Sequence, residues 1–356
     1  APQPSAIGSV PAMAASVVGA SGSDDTRSFL PGDVTVISEA IKARGIGIPE
    51  RAVFEGQFGT KAEAEAHARA LLARVGVPAD HIMIVAGSSE LLSIVSLAYA
   101  TKGEVLTAWP TYEGLPRYAE SLGIKVHKVP LAADLTHDLD TMDRRLTQAV
   151  DLVFVCNPNN PTAVLDNQPT MRDFVISTAK KCLVVVDEAY HDFVDDPSYR
   201  SMTDLVTAGH NIIVSRTASK IHSLAGLRVG FAIAHPDVIK KMAQFATGNP
   251  NTFGMRAALA SVQDTEYQEF VKAKNREGRA LLTAALTKAG RRVAPSQTNF
   301  VFFHAGRPVE QLQKHFLAGG FRVGRAFQPY GDWCRVSIGT PDEMKQFVQL
   351  IPGALA

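Results

Sequence analysis

A lysine set among small hydroxyl residues, Ser215-Arg216-Thr217-Ala218-Ser219-Lys220, with Arg228 eight residues on, is the segment of this 356-residue chain best equipped for chemistry. It follows an apolar run, Asn211-Ile212-Ile213-Val214, that reads as a buried strand, and a further strand is predicted over residues 228–234. A lysine presented in such a loop can form a Schiff base with an aldehyde. Thr217, Ser219 and Arg228 could hold a phosphate beside it. The competing reading is a surface turn with a solvated lysine.

Two further segments bear on that choice. Leu183-Val184-Val185-Val186 is apolar without alternation, the pattern of a strand buried on both faces, and Asp187 stands at its carboxyl end, where open α/β sheets place ligands. A carboxylate there could pair with a protonated ring nitrogen, and Tyr190 could reach a phenolate oxygen. A capping Asp and a packed Tyr are the plainer alternative. Asp151-Leu152-Val153-Phe154-Val155-Cys156 reads as another strand, ending in Asn157-Pro158-Asn159-Asn160-Pro161-Thr162. Its two prolines fix φ and its asparagines tolerate tight bends, so the loop could aim one amide at a cofactor oxygen or be an ordinary turn.

In order and spacing these segments resemble the fold type I pyridoxal-phosphate (PLP) enzymes of the class I/II aminotransferase family, nearest its histidinol-phosphate aminotransferase branch. That branch shares the Asn-Pro-Asn-Asn-Pro-Thr wording and the pattern Ser-Lys-x-x-x-Leu-Ala-Gly-Leu-Arg-x-Gly-Phe, here residues 219–231. The resemblance runs from about Pro78 to the C-terminus. It implies that Lys220 holds PLP as a Schiff base and, once freed, moves the Cα proton. Asp187 would keep the pyridine nitrogen protonated, and Tyr190 and Asn160 would hydrogen-bond the ring oxygen. The helix predicted to open at Gly87-Ser88-Ser89-Glu90 would bind the phosphate with its N–H groups and hydroxyls, together with Thr217, Ser219 and Arg228.

Further positions follow from the same resemblance. In Trp109-Pro110-Thr111-Tyr112 either aromatic ring could stack on the cofactor, and the family pattern favours Tyr112. In Trp333-Cys334-Arg335-Val336-Ser337, Arg335 matches the arginine that grips the substrate α-carboxylate, with Asn160 also at the substrate; only a planar guanidinium gives a bidentate clamp. The arginine that reads the substrate phosphate in the histidinol-phosphate branch has glycine in its place. Arg325, one residue on, could take over, or Arg322 and Arg325 could line a solvated strand. Phe58 stands roughly where the family has a tyrosine that reaches the partner subunit's PLP phosphate, and it lacks the hydroxyl. The implied reaction is ping-pong transfer of the amino group of an α-amino acid, or of a histidinol-phosphate-like amine, to a 2-oxo acid through pyridoxamine phosphate.

Two other readings remain open at this level. Asp25-Thr26-Arg27-Ser28-Phe29-Leu30-Pro31-Gly32, with Glu65-Ala66-His67, is loosely similar to PLP-dependent oxidases and cyclases of L-arginine or its derivatives. A non-catalytic PLP-binding domain is the third reading.

Positioning such a site needs a scaffold, and apolar runs starting at Ile82, Glu104, Ile124, Asp151, Leu183, Asn211 and Arg228 supply one. With helical patterns between most of them, they predict an α/β chain of the aspartate aminotransferase-like, PLP-dependent transferase fold: a mainly parallel seven-stranded sheet with helices on both faces, plus a smaller α+β domain. The expected divisions are an N-terminal segment over 1–50 contributing to small-domain or dimer contacts, a large PLP-binding domain over 51–245 and a small domain over 246–356. A homodimer is expected.

Composition bounds the rest. The chain is 46% hydrophobic, enough for a large core. A net charge of +1 without a basic run implies neither nucleic acid nor an acidic membrane surface. No apolar stretch reaches the ~18 residues of a membrane span. Three scattered cysteines, Cys156, Cys182 and Cys334, argue against disulfides and a zinc site, so no metal is expected. His191 and His222 read as packing neighbours of the site. Cytoplasm is the default location, although the first two dozen residues would also fit an exported protein whose signal has been removed.

Overall fold

The computed structural model describes residues 76–247 and 251–355. The readings placed on Phe58, on 25–32, on 65–67 and on the segment 1–50 lie outside those residues.

Seven strands form one sheet: β1 (Ile82–Val85), β2 (Glu104–Trp109), β3 (Val126–Pro130), β4 (Val150–Cys156), β5 (Leu183–Asp187), β6 (Ile212–Thr217) and β7 (Gly230–Ala234). Their order is β1-β7-β6-β5-β4-β2-β3. Strands β2 to β6 are mutually parallel, and β7 runs antiparallel to both of its neighbours. The mainly parallel seven-stranded sheet expected from the sequence is therefore present. A second, antiparallel pair consists of β8 (Phe300–His304) and β9 (Trp333–Ser337).

Helices cover both faces of the large sheet. On one face Val153, Val155, Val184, Val186 and Val214 pack with Met171 and Val175 of α4 (Gln168–Ala179). On the other, Leu152, Phe154, Leu183, Val185 and Ile213 pack with Leu91, Leu92 and Val95 of α1 (Ser88–Val95). Among the described residues the remaining α-helices before the second sheet are α2 (Gly114–Ser121), α3 (Leu139–Arg145), α5 (Thr203–Thr207), α6 (Pro236–Ala243), α7 (Thr252–Gln263) and α8 (Thr265–Lys288). Alternation along a strand sends successive side chains to opposite faces, which puts Asp187 on the α1 side at the carboxyl end of β5. The two-stranded sheet is backed by α8, α9 (Val309–Ala318) and α10 (Pro341–Leu355), with Leu282, Val301, Phe303, Phe316 and Phe347 in a common core. Among the described residues no helix is long and apolar enough to cross a membrane.

Two glycines let α1 approach β7. Gly87, with φ +87°, caps α1, and a Cβ there would fall 2.2 Å from Arg228 Nη2. A Cβ on Gly230 would fall 2.5 Å from the backbone N of Ser88. Arg228 itself is left-handed (φ 53°, ψ 61°), which breaks the extended backbone, so β7 begins at Gly230 rather than at Arg228 as the apolar run suggested.

Gly230→Ala should therefore lower stability by about 1–3 kcal/mol, because the added methyl meets backbone that no rotamer change can move. Urea unfolding of the two proteins measures this. An unchanged midpoint would contradict the close approach.

Candidate active site

Two adjoining cavities open at the carboxyl ends of β4, β5 and β6. The first, of about 200 Å³, is lined by Ser88, Ser89, Tyr112, Asp187, Tyr190, Thr217, Ser219, Lys220 and Arg228 among others. The second, of about 340 Å³, shares Tyr112, Tyr190 and Lys220 with it and adds Asn160, Arg325 and Arg335. Gly87 lies under the Arg228 guanidinium at the edge of the first. The residues that the resemblance assigns to the cofactor and the substrate, from Gly87 to Arg335, are thus gathered at one place, whereas Trp109 and Arg322 line neither cavity.

One end of the first cavity is built for an anion. The N-terminus of α1 presents the Ser88 and Ser89 residues, where unpaired N–H groups and the helix dipole favour negative charge. The Ser89 and Tyr112 hydroxyls share a hydrogen bond of 3.2 Å. The Thr217 hydroxyl donates to Ser219 Oγ at 2.9 Å and accepts from the Ser219 N–H at 3.1 Å, which fixes the turn leading to Lys220. Arg228 Nη1 donates to the carbonyl of Ala225 at 2.9 Å, while its other end reaches over Gly87.

The same cavity holds a buried carboxylate. Asp187 is buried, and its Oδ1 has no hydrogen-bond partner among the described residues. Burial raises its carboxyl to about 6, opposed by the Ser215 hydroxyl, the Ala189 backbone N–H and, less, the field of Lys220. Burial likewise lowers the Lys220 ammonium below its ordinary value, with Asp187 resisting. Lys220 Nζ sits 5.0 Å from the centroid of the Tyr190 ring. The Tyr190 phenol is pushed far up by burial, so it stays protonated.

A chain of hydrogen bonds joins the two cavities. Arg335 Nη1 donates to Asn160 Oδ1 at 2.5 Å, and Asn160 Nδ2 donates to the Tyr190 hydroxyl at 3.3 Å. Asn160 can face the cavity because its neighbour Asn159 does the structural bonding of the loop. Asn159 accepts from Thr111 at 3.0 Å and donates to the Pro110 carbonyl and the Thr162 hydroxyl, both at 3.1 Å. The loop is tied to β5 by Asn157 N–H donating to the Asp187 carbonyl at 3.0 Å. The Arg335 guanidinium lies 5.3 Å from the Phe300 ring centroid and 5.0 Å from that of Phe327.

Several lining residues carried no signal in the sequence. Glu113, Asn299, Phe300, Phe327 and Ser337 reach the second cavity through tertiary packing alone. Arg325 reaches it too, but its Nη2 lies 2.6 Å from Glu113 Oε2. Arg216, inside the lysine segment, turns away from the cavities and pairs at 3.1 Å with Glu188, which also accepts from Ser201 and the Met202 N–H, both at 2.7 Å. His222 bonds Ser261 at 2.9 Å and His191 pairs with Asp192 at 3.0 Å. The three cysteines are buried and free. Among the described residues no group of three or more His, Cys, Asp or Glu could hold a metal ion.

The donor set suits PLP. An anion site, an amine and a buried carboxylate with one unpartnered oxygen that could receive a ring N–H lie around one cavity.

The comparisons point the same way. A family model described as aminotransferase class I and II matches residues 48–351. A histidinol-phosphate aminotransferase of Symbiobacterium thermophilum is 33% identical over 326 residues, covering 85% of this chain and 89% of the relative. An aromatic amino acid aminotransferase of Thermobifida fusca is 36% identical over 285 residues, 78% of this chain and 77% of the relative. A histidinol-phosphate aminotransferase of Sinorhizobium meliloti, solved in complex with pyridoxal-5'-phosphate, shares the fold with a TM-score of 0.78 at 21% identity, over 92% of this chain and 87% of that one.

Asp187 makes a testable contribution to stability. Its folded value lies above the ordinary 3.8, so the cofactor-free folded state binds more protons than the unfolded chain between the two values. Stability from this group is present in acid and is lost as pH rises through about 6. Asp187→Asn removes that dependence. Between about pH 4 and about pH 7 the cofactor-free wild type should lose on the order of 3 kcal/mol relative to the variant. Parallel stability profiles in urea titrations would refute the buried-charge assignment.

Proposed function

The chain belongs to the class I and II aminotransferase family and is a pyridoxal-phosphate-dependent aminotransferase, and from that premise we propose that its amino donor is an α-amino acid with an apolar or aromatic side chain and its acceptor a 2-oxo acid. The observation that carries this reading is the second cavity. Arg335 stands there between the Phe300 and Phe327 rings, linked through Asn160 and Tyr190 to the surroundings of Lys220. An α-carboxylate would meet the guanidinium, and a side chain would lie among Tyr112, Phe300 and Phe327. Donor and acceptor both carry that carboxylate, so one arginine serves both halves of the exchange.

Bound pyridoxal phosphate supplies an electron-accepting ring, and the chain supplies the rest. Ser88, Ser89, Thr217, Ser219 and Arg228 would anchor its phosphate, with Gly87 giving the room. Tyr112 would cover the ring. Asp187 would keep a proton on the ring nitrogen, where its unpartnered Oδ1 gains a donor. Asn160 and Tyr190 would donate to the ring oxygen. Lys220 Nζ would hold the cofactor's aldehyde carbon and, once displaced, take the proton from the donor's Cα as general base. Burial lowers its ammonium below the ordinary lysine value, which favours the neutral amine that this exchange needs.

A phosphorylated amine of the histidinol phosphate type is the second reading. It is favoured by Arg325 at the same cavity and by the activity of the Symbiobacterium relative. The pairing of Arg325 with Glu113 favours the amino acid, because a phosphate there would have to displace a carboxylate. The boundaries 51–245 and 246–356, a homodimer and a cytoplasmic location belong to the same proposal, and they rest on the sequence resemblance.

Mixing the yellow enzyme with single donors tests the reading. An aromatic amino acid should abolish the long-wavelength absorbance without oxygen uptake, and a 2-oxo acid should restore it. Oxygen consumption or a cyclised product would instead support the oxidase or cyclase reading. In the same assay Arg335→Ala should lower kcat/KM for amino acids by about tenfold to about a hundredfold, the value of a charge-assisted clamp. An unchanged value would remove Arg335 from carboxylate binding.

A further inference from the structure

The substrate cavity carries two arginines, and a neighbouring carboxylate occupies one of them. Arg325, on the segment between α9 and β9, places its guanidinium 4.4 Å from the centroid of Phe327, and the same ring meets Arg335 at 5.0 Å. Arg325 Nη1 donates to the Ala326 carbonyl at 2.9 Å, and Nη2 lies 2.6 Å from Glu113 Oε2. Glu113 follows Tyr112 directly and precedes α2. The same oxygen of Glu113 also meets Arg117 Nε at 2.8 Å, one helical turn on. The Glu113 side chain is only 16% exposed, against 52% for Arg325. The carboxylate is therefore the fixed partner of the pair, and the guanidinium the adaptable one.

We propose that Glu113 is a specificity-determining residue: by occupying Arg325 it turns away donors that carry a second anionic group, a carboxylate or a phosphate, and leaves Arg335 to bind the α-carboxylate. The inference rests on the reading of Arg335 given above. A second anion approaching Arg325 must displace the Glu113 carboxylate or lie beside it, and at a partly buried position the repulsion is poorly screened. Discrimination built from an unfavourable charge placement excludes the wrong substrate without improving the fit of the right one. Glu113→Gln keeps the shape, removes the charge and returns the Arg325 donors to the cavity.

The test uses the purified holoenzyme and the ratio of half-reaction kcat/KM for glutamate to that for phenylalanine. In Glu113→Gln the ratio should rise about tenfold or more, as expected when the acidic donor makes one additional charge-assisted hydrogen bond. Glu113→Ala offers a second route to the same freed guanidinium and should shift the ratio in the same direction. Adding Arg325→Ala to Glu113→Gln should return the ratio to the wild-type value. An unchanged ratio in both single variants would overturn the proposal, as would a rise that survives loss of Arg325. Failure of the underlying reading shows separately, as wild-type enzyme indifferent to Arg335→Ala.

Discussion

A carboxylate buried at the end of a strand that is itself covered on both faces is the constraint on which this site turns. Leaving a buried Asp187 ionised with one oxygen unpartnered is costly, and burial raises its carboxyl to about 6. Nothing in the apolar layers around β5 asks for an acid there. Its neighbours Val184, Val185 and Val186 are fully packed. The position makes sense as half of a pair whose other half is the protonated ring nitrogen of a cofactor. The rest of the first cavity supplies what such a ring would need around it: an amine from the turn after β6, an aromatic ring from the segment after β2, and an anion site at α1.

The scaffold keeps these parts in register with backbone bonds, to which the buried Arg216–Glu188 pair adds a tie between β6 and the end of β5. Asn157 N–H meets the Asp187 carbonyl, and Glu188 N–H meets that of Ser215, so the loops leaving β4, β5 and β6 are tied strand to strand. Asn159 spends its side chain on Thr111, Pro110 and Thr162, which releases Asn160 to serve the cavity. Gly87 and Gly230 bring α1 close enough to β7 for Ser88 and Arg228 to face one space. The second sheet contributes what the first cannot. Arg335 projects from β9, and its bond to Asn160 spans 175 residues of sequence.

The lysine segment, the Asp187 strand and the Asn160 loop were legible because each is local: a strand, a tight turn and the reactive side chain lie within about a dozen residues. Strand starts were legible to within two residues, and the two-residue delay of β7 has a physical cause. Arg228 looked like the start of a strand but adopts a left-handed conformation, which postpones β7 to Gly230. The antiparallel sense of β7 was invisible, since an apolar run carries no direction. Glu113 was also invisible, because its importance comes from Arg325, which lies more than 200 positions away and reaches it only in the fold. Arg325 itself was singled out, yet its occupancy by a carboxylate could not be read from spacing. Arg216 shows the reverse case, a residue inside the most informative segment that serves packing around Glu188.

The central claim is that Lys220 is the amine to which the cofactor attaches. Borohydride reduction of the yellow holoenzyme fixes that linkage covalently, and peptide mass spectrometry then locates it. The expected result is the reduced cofactor's mass on the peptide containing Lys220, at one equivalent per chain. Modification at another lysine, with Lys220 untouched, would contradict the assignment and with it the roles given to Asp187 and Tyr190.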